Sequence, residues 1–313
     1  MRVVFMGTPG FAAASLNEIH TNSKHEVVGV VTVADKPAGR GQKINISDVK
    51  KYALEHNLPL LQPEKLKNEE FLKDLEALNA DVFVVVAFRM LPQVVWAMPK
   101  KGTFNLHGSL LPQYRGAAPI NWAVMNGDKE TGVTTFLIDE KIDTGNILLA
   151  DKVAIGENDN VGTIHDQLME IGAKLVVKTL DGLENDSLKP HPQNETIELK
   201  HAPKIFKDDC KIDWTKSMSD IHNKIRGLSP YPCAWTTYGI DDKFKSLKIY
   251  AGQKTTLQVE GSLHEIIRTK NNLYIHLEDG MYEILELQPE GKRKMEAKDF
   301  INGHQNEGQL FVK

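Results

Sequence analysis

Cysteine is nearly absent from this chain. Cys210 and Cys233 are the only two, far apart and in no CxxC pair, so a disulfide scaffold and a cysteine-built zinc site are both excluded. There is no apolar run of about 18 residues, the length a membrane-crossing helix needs. The opening stretch MRVVFMGTPGF enters a strand-like run directly, without the apolar region and cleavage site of a signal peptide. A cytoplasmic protein with no membrane partner is expected. Several catalytic signatures are also missing. HExxH does not occur and no close His/Asp cluster is visible, so no metal is expected. GxSxG is absent and neither cysteine falls in the strand-end loops, which disfavours a covalent intermediate. The loop MGTPGF fits neither GxGxxG nor GxxxxGK[ST], so dinucleotide and P-loop nucleotide readings have no motif to rest on. The formal net charge of −4 gives no global attraction to nucleic acid. DNA is not expected as a partner, and any phosphate-bearing partner must meet local basic patches.

What is present reads as two domains, the usual content of 313 residues with 41% hydrophobic and 26% charged side chains. The runs RVVFMG (2–7), EVVGVVTVA (26–34) and ADVFVVVAF (80–88) are short, continuous and Val-rich, as in strands buried on both faces of a parallel sheet. Helical patterns lie between them: FAAASLNEIH, SDVKKYALEHN with Ser47 as N-cap, and NEEFLKDLEALN. Two further strands are expected over 131–139 and 146–155, and a long amphipathic helix over 163–185. This alternation predicts an α/β domain, a Rossmann-like, mostly parallel sheet over residues 1–189 whose ligands sit at the carboxyl ends of the strands. Residues 190–205 mix proline with polar side chains and read as a linker. From 206 to 313 the runs AWTTYGI, SLKIYAG, GSLHEIIRT, NLYIHLED and GMYEILELQPEG are short and turn-punctuated, which predicts a C-terminal β-barrel after one short helix, 217–229.

The chemistry-bearing residues gather in TFNLHGSLLPQYRGAAP (103–119). Positions i and i+2 of a strand share a face, so Asn105 and His107 converge and offer two hydrogen-bond donors to one developing oxyanion. Taken alone, the pair fits a structural role equally well. The loop DEKIDTGN, at another strand end of the sheet, adds Asp143, which would hold the imidazole charged and relay protons, although Asp-Thr-Gly is also a common turn composition.

HGSLLPQYRGAAPINWAVMNGDKETGV, DTGNIL, FMGTPGFA, DKPAGRGQK and, further on, IRGLSPYPCAW and LKIYAG resemble the methionyl-tRNA formyltransferases over nearly the full chain. The resemblance implies the formyltransferase fold with an OB-like barrel. It also implies Asn105, His107 and Asp143 as catalytic residues, and 10-formyltetrahydrofolate as a co-substrate held at Ser109, Leu110, Leu111 and Pro112. Backbone groups of loops 86–91 and 137–143 would take the pterin, adding Phe88, Arg89, Met90 and Leu91. Where many members read VVVAYGxILP, this chain has VVVAFRMLP, one residue shorter and with Phe88-Arg89 in place of Tyr-Gly. The implied reaction is attack of the α-amine of methionine, esterified to initiator tRNA, on the formyl carbon, by a monomeric enzyme. The loop 35–47 would then grip tRNA phosphates through Lys36, Arg40 and Lys43, with Lys204 and Lys207 as further contacts in the second domain. Without the resemblance, these lysines are ordinary surface charges. Trp214, Tyr231, Trp235 and Tyr238 are expected to pack the barrel and its junction rather than to stack bases.

Two alternatives keep the same chemistry. An amino sugar nucleotide could replace the tRNA, or water could replace the amine, as in a formyltetrahydrofolate hydrolase. A noncatalytic folate- or RNA-binding module is a third reading, against which the Asn105, His107 and Asp143 set argues.

Overall fold

The computed structural model describes residues 1–38, 43–240, 243–258, 261–304 and 308–313, with 36–38 and 43–45 described by their backbone alone. In chain order, the first part forms β1 (Arg2–Gly7), α1 (Gly10–Asn22), β2 (Glu26–Val31), β3 (Lys36–Ala38), β4 (Lys43–Asn45), α2 (Asp48–Glu55), β5 (Leu60–Leu61), α3 (Glu69–Ala77), β6 (Val82–Val86), α4 (Gln93–Trp96), β7 (Thr103–His107), β8 (Arg115–Gly116), α5 (Pro119–Met125), β9 (Glu130–Leu137), β10 (Ile147–Ala154) and α6 (Val161–Glu184). The second part forms β11 (His201–Ala202), α7 (Met218–Leu228), β12 (Ala234–Ile240), β13 (Lys243–Lys254), β14 (Glu265–Arg268), β15 (Leu273–Leu277), β16 (Gly280–Pro289), β17 (Met295–Glu296), α8 (Ala297–Gly303) and β18 (Leu310–Val312). Two compact units result: Met1–Gly116 with Gly132–Val153 and Asp166–His201, and Ala117–Thr131 with Ala154–His165 and Ala202–Lys313.

In the first unit seven strands run in the order β10-β9-β7-β6-β1-β2-β5. The Val-rich runs are its interior: Val3, Val4, Phe5, Met6, Val84 and Val86 are wholly buried, each large apolar side chain contributing about 1.5–3 kcal/mol of transfer free energy. The helix α2 starts where the sequence predicts, and α3 opens at the asparagine that begins its helical stretch. Ser47 accepts from the Lys50 N–H at 3.0 Å and Asn68 from the Phe71 N–H at 3.0 Å, caps worth about 1 kcal/mol each. The pairs β1–β2, β1–β6, β2–β5 and β6–β7 are parallel.

One strand runs against its neighbour. β9 runs antiparallel to β7, with Phe104 opposite Leu137 and His107 opposite Thr134. The loop after β9 therefore leaves beside the start of β7, and it still brings Asp143 within 3.9 Å of His107. A continuous apolar run is buried equally well in either direction, so the pattern carries no sign of it.

The second unit holds a closed antiparallel barrel, β13-β12-β18-β14-β15-β16, in which β16 pairs back onto β13 and β17 rides on β16. β18 joins β12 and β14, a strand of three residues that the sequence pattern does not announce. Tyr282, Phe300, Leu287 and Ile249 fill the interior. Trp214 and Tyr238 are buried in this core, and Trp235 packs against it. Tyr231 does not: its ring is 81% exposed, contrary to the expected packing role.

Candidate functional site

The two faces of β7 are used differently. Leu106 points toward α6, where a Cβ on Gly172 would come within 2.9 Å of Leu106 Cδ2, and on the same face Thr135 Oγ1 meets Thr179 Oγ1 at 2.9 Å. Strand alternation then sends Asn105 and His107 to the opposite face, beside their cross-strand partners Phe136 and Thr134. The segment 109–116 and the hairpin loop 138–146 supply the rest of the site on that face.

Thr134 ties the first of these down. Its hydroxyl donates to Ser109 O at 2.7 Å and accepts from the Leu111 N–H at 3.2 Å. Ser109 Oγ donates to Gln113 O at 2.6 Å, and Leu111 packs with Phe136 and Ile147. Ser109, Leu111 and, in the main core, Leu91 have their side chains taken up by the fold, so what they present outward is main chain. Leu110 and Pro112 are half-buried.

His107 is buried, its Nε2–H donating to the Tyr114 carbonyl at 2.8 Å and its ring edge-on to Phe136. That bond fixes a proton on Nε2 and turns Nδ1 to the other side of the ring. Nδ1 faces Asp143 Oδ2 at 3.9 Å, too far for a direct hydrogen bond but within the reach of an ion pair when the ring carries a second proton. Asp143 Oδ2 also accepts from the Gly116 N–H at 3.0 Å. Asp143 (φ 56°) and Tyr114 (φ 61°) both hold left-handed backbone, a conformation that costs a non-glycine residue about 1–3 kcal/mol and persists only where the surroundings enforce it. Gly145 is part of that enforcement. A Cβ there would lie 1.6 Å from the Leu137 carbonyl oxygen, so only glycine lets the hairpin close. Asn105 is half-exposed, and among the described residues no hydrogen bond engages its amide.

Three residues complete the site without a motif of their own to announce them. Gln193 Nε2 donates to the carbonyls of Asp143 and Gly145, both at 2.9 Å. Arg115 grips the Gln193 oxygen through Nε and Nη2 at 3.0 and 2.7 Å and pairs with Glu195 at 2.9 Å. The Gly116 amide is the third. Arg115 and Gly116 stand inside the 103–119 block, whereas Gln193 lies in a polar stretch with no periodic signal at all.

Loop 87–91 follows β6, the parallel neighbour of β7. Arg89 turns its guanidinium onto backbone, donating to Glu64 O at 2.8 Å and, by a shorter contact, to Pro63 O, while stacking over Phe88 at 5.6 Å. Its Nε is buried with no partner among the described residues, and burial lowers its pKa. Met90 (70% exposed) and Ile142 (63% exposed) leave apolar side chains open on loops adjoining the two strands that flank β7.

The remaining predicted contacts lie elsewhere. Lys36 and Lys43 belong to the antiparallel pair β3–β4, and Arg40 lies outside the described residues. In the second unit Lys204 Nζ sits over Phe206 and Lys207 Nζ over Trp235. Among the described residues the sequence also hid a His/acid cluster: His25, Asp181 and Glu184 bring ligand atoms within 4.8 Å of one another. Its charge is met by Lys24 Nζ at 2.6 Å and the Met1 ammonium at 3.1 Å from Glu184.

An open, mostly parallel sheet, one interior strand of which offers an amide and an imidazole to one face beside a carboxylate on a hairpin loop, can stabilise an oxyanion and take up a proton, the chemistry that an acyl-group transferase without a built-in nucleophile requires. Residues 1–180 match the family described as Formyl transferase, and residues 204–305 match Formyl transferase, C-terminal domain. The chain belongs to the formyl transferase family. Among its relatives, the methionyl-tRNA formyltransferase of Flavobacterium psychrophilum is 52% identical, covering 97% of this chain and 96% of that protein. That of Bacteroides thetaiotaomicron is 48% identical over 97% and 95%. Solved structures share the fold at lower identity. An N-formyltransferase from Helicobacter canadensis, in complex with folinic acid and dTDP-3-aminofucose, superposes with a TM-score of 0.63 at 21% identity over 94% of this chain and 99% of that one. HypX from Aquifex aeolicus, in complex with tetrahydrofolic acid, gives 0.65 at 17% over 98% and 48%.

Proposed function

We propose that the chain transfers the formyl group of 10-formyltetrahydrofolate to the α-amino group of methionine carried by initiator tRNA. The reading is carried by one observation: the unengaged Asn105 amide stands on the same sheet face as the His107–Asp143 pair. Relatives of about half identity and nearly equal length, named for that reaction, support the choice of acceptor.

The folate supplies an activated one-carbon unit; the residues supply charge and alignment. As the amine attacks, a C–N bond forms and negative charge develops on the formyl oxygen. Asn105 donates an amide N–H to that oxygen, with protonated His107 at its side. Such a donor is worth about 100- to 1,000-fold in rate because it is already aimed in a water-poor site. Asp143 balances the imidazolium charge across the 3.9 Å gap and accepts the proton shed by the amine, directly or through water. The proton then moves to the departing folate nitrogen as its bond to the formyl carbon breaks. His107 stays aligned throughout because Tyr114 O holds Nε2.

Residues 1–189 act in this reading as the catalytic domain, 190–205 as linker and 206–313 as the tRNA-binding domain of a cytoplasmic monomer that needs no metal. Lys36, Arg40, Lys43, Lys204 and Lys207 serve as phosphate contacts. The decisive experiment measures formyl transfer from 10-formyltetrahydrofolate to methionyl initiator tRNA, methionyl elongator tRNA and an amino sugar nucleotide, with wild type and His107→Ala. Rapid transfer to the initiator alone, lost in the variant, is expected. Transfer only to the sugar, or release of formate alone, would replace the acceptor and keep the chemistry.

A further inference from the structure

The stretch from Pro203 to Ile212 holds one 3-10 turn, Asp208–Cys210, and no long strand, yet it is pinned to the second unit at three points. Trp122 Nε1 donates to Pro203 O at 2.8 Å, Trp235 Nε1 donates to Lys207 O at 2.8 Å, and the Ile212 N–H donates to Trp235 O at 2.8 Å. Between these pins the Phe206 N–H donates to Asp209 Oδ2 at 2.8 Å, and Cys210 Sγ donates to Phe206 O at 3.3 Å. The backbone of Phe206 is thus held on both sides, while its ring stands 63% exposed. A rigid segment that turns a phenylalanine toward water forgoes the free energy its burial would contribute. One cation meets the ring, Lys204 Nζ at 5.4 Å from its centroid, and two more gather on Trp235, the residue that pins this segment: Lys207 and Lys211 lie 5.6 and 5.9 Å from its centroid. Asp208 and Asp209 share the turn, but the Asp209 carboxylate is spent on the Phe206 amide.

We infer that Phe206 is a stacking platform for an unpaired nucleobase of the RNA substrate, with Lys204 and Lys207 taking the adjoining phosphates. The inference rests on the RNA acceptor proposed above. An aromatic face accepts any base, lysines on either side of it in the chain match the charge of the strand, and a pre-fixed ring loses little entropy when a base settles on it. A protein partner would be expected to meet a broader apolar patch than one ring beside an ammonium group.

The test measures affinity for 5′-labelled methionyl initiator tRNA by fluorescence anisotropy across a salt series, together with steady-state formyl transfer. Phe206→Ala should weaken binding by about tenfold, raise KM for the tRNA and hold kcat, at unchanged Tm. The loss should be the same factor at every salt concentration, whereas Lys207→Ala should flatten the dependence of log affinity on log salt. Phe206→Trp and Phe206→Tyr should restore binding. Phe206→Leu, apolar but without a π face, should stay weak; full binding by this variant would overturn stacking. Wild-type affinity in Phe206→Ala, while the wild type binds and formylates tRNA, overturns the platform alone. A wild type that neither binds nor formylates tRNA overturns the acceptor assignment and the platform together.

Discussion

The side-chain amide of Gln193 spans the turn that carries Asp143, donating to the Asp143 and Gly145 carbonyls at 2.9 Å each while Arg115 holds its oxygen. Gln193→Leu removes this strut and leaves two carbonyls and a guanidinium without their partner. A carboxylate displaced by about 1 Å is expected to cost roughly 100-fold in kcat. Formyl-transfer rates within twofold of wild type would show that the Asp143 turn keeps its shape without Gln193.

No hydrogen bond among the described residues uses the Asn105 side-chain amide, so truncating it breaks none. Asn105→Ala should lower kcat by about 100- to 1,000-fold with Tm unchanged. A large drop in Tm together with activity would instead make the residue structural.

Arg89 fastens loop 87–91 to the Pro63 and Glu64 carbonyls. Hydrogen bonds from a charged donor contribute about 1.5–3 kcal/mol, so Arg89→Ala should raise KM for the folate by roughly tenfold or more and leave kcat nearly intact. Arg89→Lys, with one compact ammonium in place of a planar fork, should recover only part of the loss. Equal folate KM in all three proteins would free the loop from this anchor.

His222 is buried in the second unit between Tyr282 Oη and the Glu157 carbonyl, each at 3.1 Å. Burial lowers its pKa below the ordinary 6.5, an effect that the Glu157 carbonyl opposes and Arg226 reinforces. The unfolded chain therefore binds this proton more readily than the folded one. The stabilising contribution is complete above pH 6.5 and falls as the pH drops below it. Thermal melts from pH 8 to 5 should show a steeper acid loss in wild type than in His222→Gln, and parallel curves would refute the assignment.

Much of the sheet was legible because its strands advertise themselves. Val82 to Val86 can be little else than an interior strand, and Ser47 and Asn68 mark their helix starts by composition. Asn105 and His107 were legible for the same reason, since spacing by two on a strand fixes a common face. The direction of β9 was not, because alternation and apolarity are blind to which way a neighbour runs. Gln193 was hidden since its function depends on where a polar segment comes to rest. β18 was hidden because three residues are too few to show a period. Tyr231 was misjudged: an aromatic among barrel strands is usually core, and only the course of the backbone reveals that this ring faces water.

The antiparallel course of β9 divides the site into parts of unequal compliance. Asn105 and His107 are spaced by the pitch of a strand paired on both sides, a ruler that no neighbouring insertion can stretch. Asp143 hangs from a hairpin tip whose length is set only by the nine residues 138–146 and by the fit of Gly145 against Leu137. Lengthening that hairpin would move Asp143 without touching Asn105 and His107, so in the proposed reaction the carboxylate can be repositioned while the two strand groups stay where the sheet put them.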